Sequence, residues 1–369
     1  MEKLAYLLKD KYVNVKDYFT SPKFLRIYDK VVKVLKSVIP KIAIYAILIC
    51  FAYIFMSPIL RVLVDSFKIK DDITNPDVVW IPTALTIQNY KDAWAGLWIY
   101  RVVKSAENVV ISTLFNSTIF SLLSAIFQTF IACTAGYAFA RFNFKGKQLW
   151  FIGLILAFVL PMQLLTLPRA MMLKPLMKAV ASPSALFGIV PETKQAYFVD
   201  GVFSVISATP TLLLTLLGQG INSSILIFIA FSFFKMIPIA LDEAAQIDGA
   251  NFFQIFYHII LKMSIPTILV VFLFAFIWNW NDTYVLDSLT FDSIGNLRFQ
   301  TLPQSLSQFN YRMSQGPNES GILEENQESN NPGLRSAAII ISIAPLLVLY
   351  GFTQRKFVEG IENTGVTGV

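Results

Sequence analysis

Ile237-Pro238-Ile239-Ala240-Leu241-Asp242-Glu243-Ala244-Ala245-Gln246-Ile247-Asp248-Gly249-Ala250 is a short polar interruption between two long apolar runs. Pro238 suits the start of a helix, and Asp242 and Glu243 then fall early in it, where the helix dipole favours anions. Ala244 and Ala245 are strong helix formers, and Gly249 permits a sharp change of backbone direction. A second amphipathic run follows, with Phe252, Phe253, Ile255 and Phe256 interrupted by Gln254. A helix-bend-helix of this kind at a membrane surface is a docking device.

Composition places the rest of the chain in lipid. It is 55% hydrophobic and 15% charged, with 32 phenylalanines, whereas soluble domains carry about 25% charged residues. Its mean hydropathy is +0.58. His258 is the only histidine, and Cys50 and Cys133 both lie in apolar runs. A zinc site, a disulfide scaffold and Ser-His-Asp or Cys-His catalysis are therefore excluded as serious readings. Gly146-Lys147-Gln148 lacks the spacing and hydroxyl of a phosphate-cradling loop, so the chain cannot hydrolyse ATP itself. These features argue against an enzyme, and no cofactor is expected on this chain.

The net charge of +6 does not mark nucleic-acid binding, because the basic residues crowd the arm from Lys3 to Lys41, directly before an apolar span. That arrangement is the positive-inside signal and places the N-terminus in the cytoplasm. Residues 1–38 read either as an amphipathic helix on anionic lipid or as a solvated extension. The arm is far longer than the basic region of a signal peptide.

A span needs about 20 helical residues. Six stretches qualify, at about 42–64, 113–140, 149–167, 212–234, 265–286 and 337–352, and they predict an all-α polytopic membrane protein. Both termini, the basic connector Arg141 to Lys147 and the segment 237–262 then fall in the cytoplasm. Three long loops, roughly 65–112, 168–211 and 287–336, fall outside. The domain reading is a basic arm (1–38), a six-span membrane domain (39–353) and a cytoplasmic tail (354–369).

The opening segment resembles the coupling loop, named for its Glu-Ala-Ala, of permease subunits in ATP-binding-cassette importers. The spacing from Glu243 to Gly249 and on to Ile259 and Leu261 fits that pattern. Lys262 stands where the pattern has proline, which puts the local kink in question, and Pro266 matches the next proline. Further matches are similar to the carbohydrate-uptake branch, the maltose-type second permease. They are Asn116-Ser117, Ala135 to Phe142, Trp278-Asn279-Trp280-Asn281-Asp282, Thr301-Leu302-Pro303 and Gln354 to Gly360. The resemblance covers about residues 40–369 and leaves the stretches near 169–211 and 312–333 as additions.

The resemblance implies a type I importer core working by alternating access. It also implies a second homologous permease, two ATPase subunits that bind ATP and Mg, and an extracytoplasmic sugar-binding protein. Asp242, Glu243, Ala244, Ala245, Asp248, Gly249, Phe252 and Phe253 would then couple to the ATPase. Asn279, Trp280, Asn281 and Asp282, with Gln163 and more weakly Gln128, are candidates for the substrate pathway. Their amides and rings suit sugar hydroxyls, but the same residue types also join neighbouring helices. The competing functions are an importer permease for another solute and an ion-coupled secondary transporter. The second would usually carry carboxylates inside its spans, which here are almost free of charge before Asp282.

Overall fold

The structure is a computed structural model, and it describes residues 22–97, 99, 101–103, 109–160, 164–166, 168–169, 171–172, 209–289, 292–293, 297–298, 300–309 and 331–366. The chain divides into two compact units, residues 1–64 and 65–369. In the first, the described chain is helix throughout, the greater part of α1 (Pro22–Phe67). Its apolar stretch begins at Lys36, and side chains such as Ile42, Phe51 and Phe55 are exposed, as suits a helix solvated by lipid.

The second unit is also helical. Its elements are α2 (Lys70–Thr74), α3 (Gln88–Gly96), α4 (Thr113–Arg141), α5 (Lys147–Val159), α6 (Thr209–Leu216) and α7 (Ser223–Met236). After α8 (Ile239–Ile247) comes α9 (Phe252–Met263), which is π-helical over Ile255–Ile260. Then follow α10 (Ile265–Trp280), α11 (Tyr284–Leu289), α12 (Leu302–Ser307) and α13 (Pro332–Val366). Two antiparallel ribbons, β1 (Arg101–Val103) with β2 (Val109–Ile111) and β3 (Asp292–Ser293) with β4 (Leu297–Arg298), add to the all-helical expectation.

Among the described residues, three helices are long and apolar enough to cross a membrane, and two bent pairs raise the number to five. The expected third span begins as the 13-residue α5. Pro161 and Gln163, within the expected span, lie outside the described residues.

Two expected spans are corrected. The run 212–234 is not one helix: α6 stops at Leu216 and α7 starts at Ser223. The backbone between them turns through positive φ at Gly218 (75°) and Asn222 (53°). The run 265–286 ends at Trp280, after which Asp282 starts a new short helix by accepting from the backbone N–H groups of Val285 (3.1 Å) and Leu286 (3.2 Å).

The core forms where α4 packs against α7 and α10. Gly136 makes the close approach possible, because a Cβ there would lie 2.8 Å from both the Ala230 Cβ and the Phe231 nitrogen. A helix of 29 residues is about 44 Å long, so α4 has two well-separated ends.

At its N-terminal end, the Leu97 carbonyl accepts from the hydroxyls of Thr113 (2.9 Å) and Ser305 (2.7 Å). Ser117 accepts from the Leu302 N–H at 2.6 Å, and Asn116 donates to the Gln300 carbonyl at 3.1 Å. Two sequence motifs 185 residues apart, Asn116-Ser117 and Thr301-Leu302, thereby meet. The polypeptide from Asp65 to Gly96 is wound around buried polar groups. The Lys68 ammonium donates to Asp65 (2.7 Å) and to the carbonyls of Val78 (3.0 Å) and Val79 (2.8 Å). Asp72 accepts from both the N–H and the hydroxyl of Thr83, and these bonds hold its carboxyl below the usual range. Asn89 closes the loop on the carbonyls of Ser66 and Lys68.

Candidate functional site

The other end of α4 carries the segment from Ile237 to Ala250. Pro238 stands at the N-cap of α8, and the axis turns by 69° between α7 and α8. At the far end of α8, Gly249 has φ +84°, donates to the Gln246 carbonyl (3.0 Å), and lets Ala250 donate to Ala245 (2.9 Å). This pair of bonds is a Schellman stop, which needs a left-handed residue at the position of Gly249. The next helix begins at once: Asn251 and Gln254 cap each other's backbone N–H groups at 2.9 Å and 2.8 Å. That reciprocal cap has the sequence signature of a capping box and was readable as such, but sequence reasoning missed it.

The kink that Lys262 put in question is present despite the missing proline. Between α9 and α10 the axis turns by 80°. Ser264 bonds the Ile260 carbonyl (2.6 Å), and Pro266 falls in the first turn of α10, where a missing N–H costs nothing.

The helix faces of α8 sort the expected coupling residues. Glu243, Ala244 and Asp248 are exposed, and Ile247 is 87% exposed. Phe253 on α9 is 85% exposed. Asp242 and Ala245 instead turn inward and are buried. The Asp242 carboxylate lies 3.1 Å from Nε of Arg141, the last residue of α4, whose Nη2 donates to the Ile237 carbonyl at 2.7 Å. Burial raises the Asp242 carboxyl from its ordinary value, Arg141 opposes the shift, and Glu243 adds to it. Tyr137 packs on Phe256 (ring centroids 4.7 Å apart), and Phe142 packs on Phe252 (5.3 Å), so α9 rests on the end of α4. Phe252 is thus in contact with the core while still half exposed. His258 is exposed on α9, as expected of a polar residue on an interfacial helix.

Among the described pathway candidates, Asn279 and Gln128 meet, while Trp280, Asn281 and Asp282 are each engaged elsewhere. Asn279 donates to Gln128 Oε1 at 2.8 Å, and Gln128 Nε2 donates to the Ile221 carbonyl at 3.1 Å. One glutamine on α4 thereby joins α10 to the break between α6 and α7. Gly220 is needed there, since a Cβ would fall 2.0 Å from Gln128 Nε2. Trp280 is buried, stacks on Phe276 and donates to the Ser342 carbonyl of α13 at 3.3 Å. Asn281 is exposed and bonds its own helix at Ile277, while Asp282 caps α11. Such interhelical bonds contribute about 0.6 kcal/mol on average in lipid.

Long apolar helices with an exposed amphipathic elbow suit a membrane-embedded protein. Residues 128–363 match the model of the family described as "Binding-protein-dependent transport system inner membrane component". The chain belongs to that family, whose members are permease subunits of ATP-binding-cassette importers rather than enzymes.

The chain is 28% identical to the "Probable starch degradation products transport system permease protein AmyC" of Thermoanaerobacterium thermosulfurigenes, over 85% of its length and 92% of that protein's. It is 26% identical to the "Diacetylchitobiose uptake system permease protein DasC" of Streptomyces coelicolor, over 84% and 91% respectively. Among solved structures it is similar to a chain of a bacterial ABC transporter involved in the import of the acidic polysaccharide alginate. That match has a TM-score of 0.56 at 16% identity, covers 87% of this chain and 98% of that one, and carries the fold alone.

Proposed function

We propose that this chain moves a sugar or oligosaccharide across the cytoplasmic membrane. It would work by alternating access beside a second homologous permease, with two ATPase subunits below and an extracytoplasmic sugar-binding protein above. The observation that carries the reading is the exposed elbow α8–α9. Its outward residues Glu243, Ala244, Ile247, Asp248 and Phe253 form a surface of one acidic helix face and bare apolar side chains, stopped by Gly249 and braced on α4. That surface suits insertion into a cleft of an ATPase. Sugar as the solute is supported by relatives whose names specify starch degradation products and diacetylchitobiose.

The six-span topology proposed here has both termini, the 1–38 arm and the 354–369 tail in the cytoplasm. The bound polypeptide from Asp65 to Gly96 then faces outside. Closure of the ATPases on ATP draws the elbows together and opens the pathway outward, and hydrolysis returns it inward. ATP and Mg bind to the ATPases, not to this permease. Asn279, Trp280 and Asp282 serve in this reading mainly to hold helices, because each is engaged by a different element.

Proteoliposomes holding the four-subunit complex test the function. With the receptor and a panel of labelled glycans, ATP-dependent accumulation of one glycan class is expected. Accumulation driven by an ion gradient without ATP would contradict the reading.

A further inference from the structure

The elbow between α7 and α8 has a built-in weakness. Ile237 is extended and Pro238 follows it, so the helical hydrogen-bond ladder is interrupted where the axis turns by 69°. Nothing in the backbone there would stop α8 from swinging about Ile237-Pro238 when it is pushed.

Arg141 occupies that weak point from a third element. Its guanidinium is nearly buried and reaches both sides of the elbow: Nη2 holds the Ile237 carbonyl at 2.7 Å, and Nε faces the Asp242 carboxylate at 3.1 Å. Planar guanidinium donors spread in a fork suit such a two-sided contact, and a lysine ammonium cannot reproduce it. Asp242 is adjacent in sequence to the exposed Glu243, so a load applied at the outward face is one residue from the pair. Behind Arg141, α4 is already locked to α7 at Gly136 and Ala230.

We infer that Arg141, with Asp242, is a positioning pin that fixes the α7–α8 elbow. A displacement of α8 therefore passes to α4 and α7 as one body instead of being absorbed as a bend at Ile237-Pro238. This rests on the reading that α8–α9 receives the ATPase. The pin is a separate property: docking needs the outward residues, and transmission needs the inward pair.

The experiment uses the assembled transporter in proteoliposomes and reads glycan molecules imported per ATP hydrolysed. In Arg141→Gln the ATPase still copurifies, but import per ATP falls about tenfold, within the range usual for a coupling between sites. Arg141→Lys keeps the charge without the fork and gives an intermediate loss. The exchange Arg141→Asp with Asp242→Arg restores an ion pair but sets a carboxylate against the Ile237 carbonyl, so coupling stays low. Full import per ATP in either single Arg141 variant, or full recovery in the exchange, overturns the pin. If Arg141→Gln does not assemble, Arg141→Lys decides by the same ratio. Failure of the docking reading is seen separately, as undiminished ATPase association in Glu243→Lys.

Discussion

Gly249→Pro is expected to leave the permease in the membrane and to remove ATP-driven import, by about a hundredfold or more if the turn must be forced. Proline holds φ near −65°, whereas Gly249 sits at +84°. Proline also lacks the N–H that bonds the Gln246 carbonyl, so the helix stop fails in geometry and in hydrogen bonding together. Nothing lies within 4 Å of the position a Cβ would take, so no steric clash adds to these two losses. Substitutions should therefore rank by tolerance of the left-handed region: Gly249→Asn mildest, Gly249→Ala intermediate, Gly249→Pro severe. Transport assays on the three variants, with ATPase pull-down alongside, check the order. Wild-type import by the proline variant would remove the bend from the mechanism.

The second large effect is on folding. Gly136→Leu drives a side chain into the α4–α7 contact, where even a Cβ would lie 2.8 Å from Ala230 and Phe231. Overpacking of a close-packed core costs about 1–3 kcal/mol, and here backbone atoms block relief. The helices that must separate also frame Gln128 and Arg141, so loss of the contact spreads to both ends of α7. A marked fall in detergent-stable complex and in thermal midpoint is expected, while Gly153→Leu, with nothing within 4 Å, should be neutral. Equal stability of the two variants would contradict the packing.

Local signals were the legible ones. Pro238, Asp242 in the first turn and Gly249 encode start, polarity and stop within twelve residues, and the structure uses all of them. Hydropathy also located both ends of α4 and the start of α10, because long apolar runs leave few alternatives in lipid. What failed depended on distant partners. The break at 217–222 lies inside an apolar run, and its Ile221 carbonyl is satisfied by Gln128, 93 residues away. Gly218, Gly220 and Asn222 were a visible turn signal, overridden by mean hydropathy.

The two acids of the coupling segment show the same limit. Asp242 and Glu243 are alike in sequence, but a helix turns by about 100° per residue. The direction of the elbow then sends one to Arg141 and the other to solvent. Asp282 was expected inside a span and proves to be a helix cap, because α10 ends two residues earlier than its carboxylate. Lys262 in place of proline left the bend intact, since Ser264 and Pro266 supply it from the next turn.

The most direct measurement is site-specific cross-linking in the assembled transporter, after replacing Cys50 and Cys133. A cysteine at Ile247, on the outward face of α8, should cross-link to the ATPase subunit in high yield. A cysteine at Ala245, two residues away but buried, and one at Asp77, at the opposite end of the helical core, should not. An active transporter with no cross-link from Ile247, or with equal yield from Asp77, would contradict the assignment of α8–α9 as the surface through which ATP hydrolysis drives this permease.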